Sequence, residues 1–311
     1  MEAKEIDIVP LDKLNIKDAY KLYNSGLNGS LTFLQFELKY NRGAFGIPEC
    51  SHLAYFNNKA IGFYGIIPAM VVKDDKKFLA AQACEFITLK EFRKQKVHYQ
   101  LGKKCYERLI EHDCKFVFGF HSKASFNASK KLAWKTVNKN LFRFHLPLNN
   151  YPLMNIVHKL KSKRRKESLF KKLINHQNIA ENKIENILSK ESGVSIIYDK
   201  TYISYKTFSP NYIVEFNNVK FWLKLRGYLE IGAIYYDDTA DLQEAINQLV
   251  SVMRKLPIKE IIITAPYNTQ LYHALALKYS PLPSFVIGYL DFAIDYSGVD
   301  FLCNSADLDT F

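Results

Sequence analysis

The chain has 311 residues, 48% of them hydrophobic and 24% charged, which is apolar material for two cores and excludes a disordered or fibrous protein. Its five cysteines, Cys50, Cys84, Cys105, Cys114 and Cys303, are odd in number and form no CxxC pair, so free thiols in a reducing cytoplasm are expected rather than a disulfide framework or a metal site. The net charge is +12, but eight cations against one acid between Lys159 and Lys172 supply more than half of it, leaving a moderately basic remainder.

In chain order, EIDIVPL reads as a strand and NIKDAYKLYNSGL as an amphipathic helix closed by Gly26. HLAYF and AIGFYGIIPAMVV make a hairpin turning at Asn57-Asn58, and the chain turns back at Asp74-Asp75 into KFLAAQACEFITL. A helix from Arg93 to His112, the strand KFVFGF, a helix from Ser122 to Trp134 and the strand NLFRFHLP complete a first unit, residues 1–150. Residues 151–192 turn lysine-, asparagine- and glutamate-rich with helical spacing, a basic helical connector. Its run KLKSKRRK lacks interleaved aromatics, so a solvated helix face is expected rather than a nucleic-acid site.

Residues 193–311 form a second unit with strands SIIYD, YIVEF, KFWLKL, YLEIGAIYY, EIIITAP and SFVIGYLDFAID and helices DLQEAINQLVSVMRKL and TQLYHALALKYS. The expected class is α+β: two units, each a mixed, mostly antiparallel sheet flanked by helices. KFVFGFHSKASFNASKKLAW and KEIIITAPYNTQLYHALALKY share strand, polar turn, helix and a small-plus-aromatic ending, which reads as an internal duplication. No stretch approaches the roughly 18 apolar residues of a membrane span, so no stable membrane insertion is expected.

The segment Cys84–Trp134 carries the most chemistry. The strand CEFITL runs into a polar turn that opens a long helix, and a helix start offers unpaired N–H groups and partial positive charge to a pyrophosphate. Arg93, Lys94, Gln95 and Lys96 crowd that start. Lysines there oppose the helix dipole unless an anion is present.

This layout resembles the acyl-CoA site of the GNAT superfamily, whose motif Arg/Gln-x-x-Gly-x-Gly/Ala opens the helix. Arg93-Lys94-Gln95-Lys96-Val97-His98 stands in its place, with Lys96 and His98 at the two glycine positions. Leu132-Ala133-Trp134 stands where Leu-Gly-aromatic is usual. The chain as a whole is similar to two-domain GNAT proteins of bacterial surface-polysaccharide clusters, down to Asp309-Thr310-Phe311. Within them it resembles N-acyltransferases acting on dTDP-linked 3-amino-3,6-dideoxyhexoses.

The resemblance implies acyl-CoA as co-substrate, no metal, and direct attack of an amine on the thioester. The oxyanion donor would be a backbone N–H of Phe86, Ile87 or Thr88. Glu85, a carboxylate in an apolar strand, is the leading base, with His98 or His121 as alternatives, or no single base at all. Ser129 falls where the family places a tyrosine to protonate the leaving thiolate. Asn127 and Ser125 would bond the pantetheine arm or cap their helix. Leu31–Gly46 would border the acyl pocket, with Tyr40 as contact. Trp222, Lys224, Arg226 and Tyr228 offer stacking and cations to a nucleotide diphosphate, or simply form an edge strand with a solvated face. The second unit, lacking an arginine-rich helix start, would be a degenerate copy donating substrate contacts or a homo-oligomer surface. The rival readings are a Fem-like amino-acid or peptide N-acyltransferase and a non-catalytic binding module.

Overall fold

The computed structural model describes residues 6–27, 29–40, 47, 50–137, 140–148, 163–177, 183–292 and 300–311. Residues 41–46 of the expected acyl-pocket border and 151–162 of the connector lie outside them. The chain opens with β1 (Asp7–Pro10), α1 (Ile16–Leu27), α2 (Phe33–Tyr40), β2 (His52–Phe56), β3 (Lys59–Lys73) and β4 (Lys76–Thr88). It continues with α3 (Val97–Glu111), β5 (Phe116–His121), α4 (Lys123–Ser129), β6 (Lys135–Thr136), β7 (Leu141–Pro147), α5 (Lys163–Ile174), β8 (Val194–Ile196) and α6 (Lys200–Lys206). Then come β9 (Tyr212–Phe216), β10 (Val219–Leu225), β11 (Leu229–Tyr235), α7 (Thr239–Met253), β12 (Glu260–Pro266), α8 (Gln270–Ala276), β13 (Pro281–Pro283), β14 (Val286–Asp291) and β15 (Phe301–Leu302).

Local chemistry explains the hairpins. Asn57-Asn58, Asp74-Asp75 and Asn217-Asn218 each hold two consecutive residues at positive φ, the two-residue turn that matches strand twist and favours asparagine and aspartate. The first two are the turns expected from sequence.

The fold is α+β, and the chain divides into two compact units: Met1–Asn138 with Ser204–Ser209 and Val286–Val299, and Lys139–Ile203 with Pro210–Phe285 and Asp300–Phe311. In the first, a sheet of order β1-β2-β3-β4-β5-β14-β6 is antiparallel except for β4–β5, whose parallel pairing is bridged by α3. Val97, Leu101, Cys105 and Leu109 of α3 recur every four residues and bury against Tyr64, Ile66 and Ala83. In the second, a sheet of order β13-β7-β12-β11-β10-β9 repeats the scheme, with β11–β12 parallel and bridged by α7. Leu242, Ala245, Ile246, Leu249 and Met253 of α7 enter its core. Ser122 caps α4 and Thr269 caps α8, each accepting from the N–H three residues on, so the duplicated sequence segments also share their local geometry.

Two strands sit elsewhere than the sequence suggested. β7, within NLFRFHLP, pairs with β12 and β13, while β14, within SFVIGYLDFAID, pairs with β5 and β6. Alternation marks a strand and its buried face, but it does not name the neighbour. The helix expected from Ser122 to Trp134 ends early: α4 stops at Ser129, a single 3-10 turn follows, and Ala133 takes φ 64°.

Candidate functional site

In the first unit Tyr64 pairs with Phe86 and Ile66 with Ala83, so Cys84 and Glu85 of β4 stand opposite Gly65 alone, a β-bulge. Parallel pairing of β4 with β5 occurs at Ala81↔Val117 and Gln82↔Phe118. Beyond that, β4 follows β3 to Thr88, while β5 follows β14 to His121. The two strands part just where the bulge begins.

The pleat then fixes which donors face the gap. Leu89 N–H donates to the Ile61 carbonyl on the β3 side at 2.9 Å. Peptide groups alternate along a strand, so Ile87 also faces β3, while Phe86 and Thr88 direct their N–H groups toward the opening. The Thr88 carbonyl, which shares that direction, accepts from Arg93 Nε at 3.3 Å. Of the three expected oxyanion donors the geometry thus singles out Phe86 and Thr88.

Next comes the loop. A 3-10 turn at Lys90–Phe92 leads through Arg93 to α3, and Gln95 Nε2 ties back to the Glu91 carbonyl at 3.0 Å. Arg93, Lys94, Gln95 and Lys96 are exposed. Lys94 and Lys96 hold φ 69° and 61°, the left-handed conformation natural to glycine. Lys96 therefore holds a backbone shape that glycine adopts freely, at a cost of about 1–2 kcal/mol for its Cβ. Lys96 caps α3 without a side-chain hydrogen bond, leaving the first turn's N–H groups open to an anion. Val97 contributes only backbone there, its side chain being 1% exposed. His98 packs between Tyr64 and Phe86, ring centroids 5.3 Å from each, and burial lowers its pKa.

Glu85 is 7% exposed and lies in a buried ion pair, its Oε1 2.5 Å from Lys39 Nζ, while the Tyr40 hydroxyl donates to Oε2. Tyr40 and Glu85, expected separately as acyl contact and base, are brought together. The Tyr40 hydroxyl also lies over Gly65, where any Cβ would collide with it, so the bulge needs that glycine. Lys39 is the residue the sequence reading missed. Its signal was there: Phe36, Lys39 and Tyr40 share the inner face of α2, and a lysine on an apolar stripe calls for a buried acid.

His121, at the end of β5, is 1% exposed, stacks on Phe86 at 6.0 Å and meets Trp134 edge-on at 4.9 Å. Neither ring nitrogen has a hydrogen-bond partner among the described residues. Burial, aided by His98, pushes its pKa down to about 4, and burial takes His52 down to about 4 as well. Both imidazoles are neutral when folded, whereas the unfolded chain protonates near 6.5. The unfolded state thus binds more protons between those values, and stability is lost as the pH falls from about 6.5 toward 4. Thermal melts across that range are expected to show a declining midpoint, with a shallower decline in His121→Gln. A midpoint independent of pH would contradict buried neutral histidines.

Ser129 is fully buried, its Oγ without a partner among the described residues, and Asn127 is exposed. In the second unit Trp222 is fully buried, edge-on to Tyr198 and Phe311, its Nε1 donating to Asn211. It has no exposed face for a base to stack on. Lys224 Nζ and Arg226 both donate to the Thr310 carbonyl, at 2.6 and 2.8 Å, and Arg226 also pairs with Glu230. β10, which carries Trp222 and Lys224, lies between β9 and β11 and is no edge strand. Tyr228 is half-buried beside the Arg226–Glu230 pair.

No protein-family model matches the sequence, and no curated protein does. Solved structures do. A conserved protein of unknown function from Enterococcus faecalis V583, called a probable N-acyltransferase, superposes with TM-score 0.63 at 10% identity, over 92% of this chain and 73% of its own. A GCN5-related N-acetyltransferase from Kribbella flavida gives 0.60 at 10% identity, over 92% and 70%. Saccharomyces cerevisiae N-myristoyltransferase with bound myristoyl-CoA gives 0.58 at 11% identity, over 94% and 80%. The fold is that of the GCN5-related N-acyltransferases. No described helix is long and apolar enough to cross a membrane.

Proposed function

We propose that this protein transfers an acyl group from acyl-CoA to an amine, with the chemistry in the first unit. The observation that carries the reading is the divergence of β4 from β5 after Gln82↔Phe118, with β4 bulged at Cys84–Glu85 and leading to a helix start that has no side-chain cap and is preceded by two left-handed lysines. Acyl-CoA would supply the activated thioester. The N–H groups of α3's first turn, with Lys94 and Lys96, would hold its diphosphate. Phe86 and Thr88 N–H groups would bond the thioester oxygen as negative charge develops on it. The amine must attack unprotonated: its nitrogen bonds to the acyl carbon as the C–S bond breaks, and the proton it sheds needs an acceptor. Glu85, held beside Lys39 and Tyr40, and neutral His121 are the two groups we assign to receive it, directly or through water.

As acceptor we propose an amino sugar carried on a nucleotide, in the cytoplasm. Its support is the resemblance of the chain's layout to dTDP-amino-sugar N-acyltransferases. Titrating the protein calorimetrically with acetyl-CoA and, separately, with dTDP tests both levels. Binding of both fits the full reading. Binding of acetyl-CoA alone moves the acceptor to a peptide or amino acid. No heat and no thermal shift with acetyl-CoA would sink the enzyme and leave a binding module.

A further inference from the structure

The second unit repeats the geometry of the first unit's cleft. β11 pairs in parallel with β12 only from Leu229↔Ile261 to Ile231↔Ile263. Beyond this, β11 follows β10 to Tyr235, and β12 follows β7 to Pro266. The register of β10 with β11 slips between Trp222↔Ala233 and Leu223↔Ile231, leaving Gly232 as the extra residue. A parallel pair that opens at a bulge on the strand before the crossover helix is thus present twice.

The second opening is filled by the chain itself. On its β12 wall, Thr264 Oγ1 lies 2.8 Å from Ser305 Oγ, both buried. On its β11 wall, the Phe311 ring covers Gly232 so closely that a Cβ there would collide with it. Lys224 and Arg226 hold the intervening Thr310 carbonyl. The segment is rigidly built: Asn304 and Asp307 form a reciprocal capping box, and both accept from the Tyr198 hydroxyl at 2.8 Å. Phe311 is fully buried against Trp222.

The helix start opposes the same ligand. Where α3 begins beside Arg93, Lys94 and Lys96, α7 begins with Asp238 as its cap, accepting from Ala240 N–H at 2.8 Å, between Asp237 and Asp241. Carboxylates there satisfy the free N–H groups and complement the helix dipole, and they repel a diphosphate.

We infer that the second unit's opening is a former acyl-CoA cleft now occupied by the segment Asn304–Phe311 as an internal ligand, so each chain holds one acyl-CoA. The stoichiometry rests on the function proposed for the first unit; the occupancy does not. The occupancy explains why Trp222, Lys224 and Arg226 resemble ligand contacts in sequence: they contact this segment.

A double-mutant cycle tests the occupancy. Gly232→Ala displaces the Phe311 ring and Phe311→Ala removes it, and each is expected to lower the melting midpoint by about 4 °C or more. Gly232→Ala should also raise hydrogen exchange over residues 304–311 about tenfold. With both substitutions the added methyl enters vacated space, so the double variant should melt no lower than Phe311→Ala alone. Additive losses, or unchanged exchange in Gly232→Ala, would overturn the occupancy. Calorimetric titration with acetyl-CoA should give one site per chain, weakened about 100-fold in K94E/K96E. Two sites, or a site of unchanged affinity in K94E/K96E, would overturn the inference. No site at all, with a non-additive cycle, would instead refute the function and leave the filled cleft standing.

Discussion

Reversing both loop lysines, K94E/K96E, is expected to weaken acetyl-CoA binding about 100-fold, some 2.7 kcal/mol. Each exposed charge near a diphosphate contributes on the order of 0.5–1 kcal/mol at moderate salt, and two reversals change the local charge by four units. Lys94 and Lys96 are exposed and form no ion pair among the described residues, so the substitution disturbs little besides the site. The melting midpoint should therefore stay close to that of the parent. Lys96→Gly separates charge from shape: it relieves the left-handed strain while removing one cation, so binding should fall only a few-fold as the midpoint rises. Titration at two salt concentrations reads the electrostatic part, because screening erodes it. If K94E/K96E bound acetyl-CoA as tightly as the parent, the diphosphate would not lie at the start of α3.

Lys39→Met is expected to destabilise the first unit by about 3–5 kcal/mol, because it withdraws the ammonium from a carboxylate enclosed in the core. Lys39 is 3% exposed and Glu85 7%, so water cannot replace the missing charge cheaply. The paired variant K39M/E85Q, with neither charge, should recover most of that loss, since the cost lies in the unmatched ion. Urea unfolding of the two variants checks this. Activity adds a second readout. K39M/E85Q should stay well below the parent in kcat at neutral pH if Glu85 receives the amine's proton, and should approach the parent when the pH is raised and the acceptor amine is already neutral. A Lys39→Met chain as stable as the parent would contradict the buried ion pair. A fully active K39M/E85Q would assign the proton to His121 or to water.

Much of this was legible in the residues. The paired asparagines and aspartates at 57–58 and 74–75 announced their hairpins, because those side chains tolerate the positive φ a tight turn demands. The four-residue recurrence of Val97, Leu101, Cys105 and Leu109 fixed α3, and the run Arg93–Lys96 suggested its start as the place where we propose the diphosphate. Glu85 stood out as a charge in an apolar strand. Such signals are local: each depends on residues within a turn or two of chain.

What the chain could not state by itself concerns separation in sequence. Lys39 and Glu85 are 46 residues apart, and only the packing of α2 on the sheet makes them a pair. That Phe86 and Thr88, and not Ile87, face the opening depends on the register of β4 with β3, since a slip of one residue exchanges the faces. Trp222, Lys224 and Arg226 read as a ligand surface because aromatics beside cations are how ligands are held. The tertiary structure gave them a partner more than 80 residues downstream in the same chain. Composition and periodicity thus determined most of the elements and the class. Which strands adjoin and which buried charges meet were decided by long-range packing, where the free energy depends on contacts that no local pattern encodes.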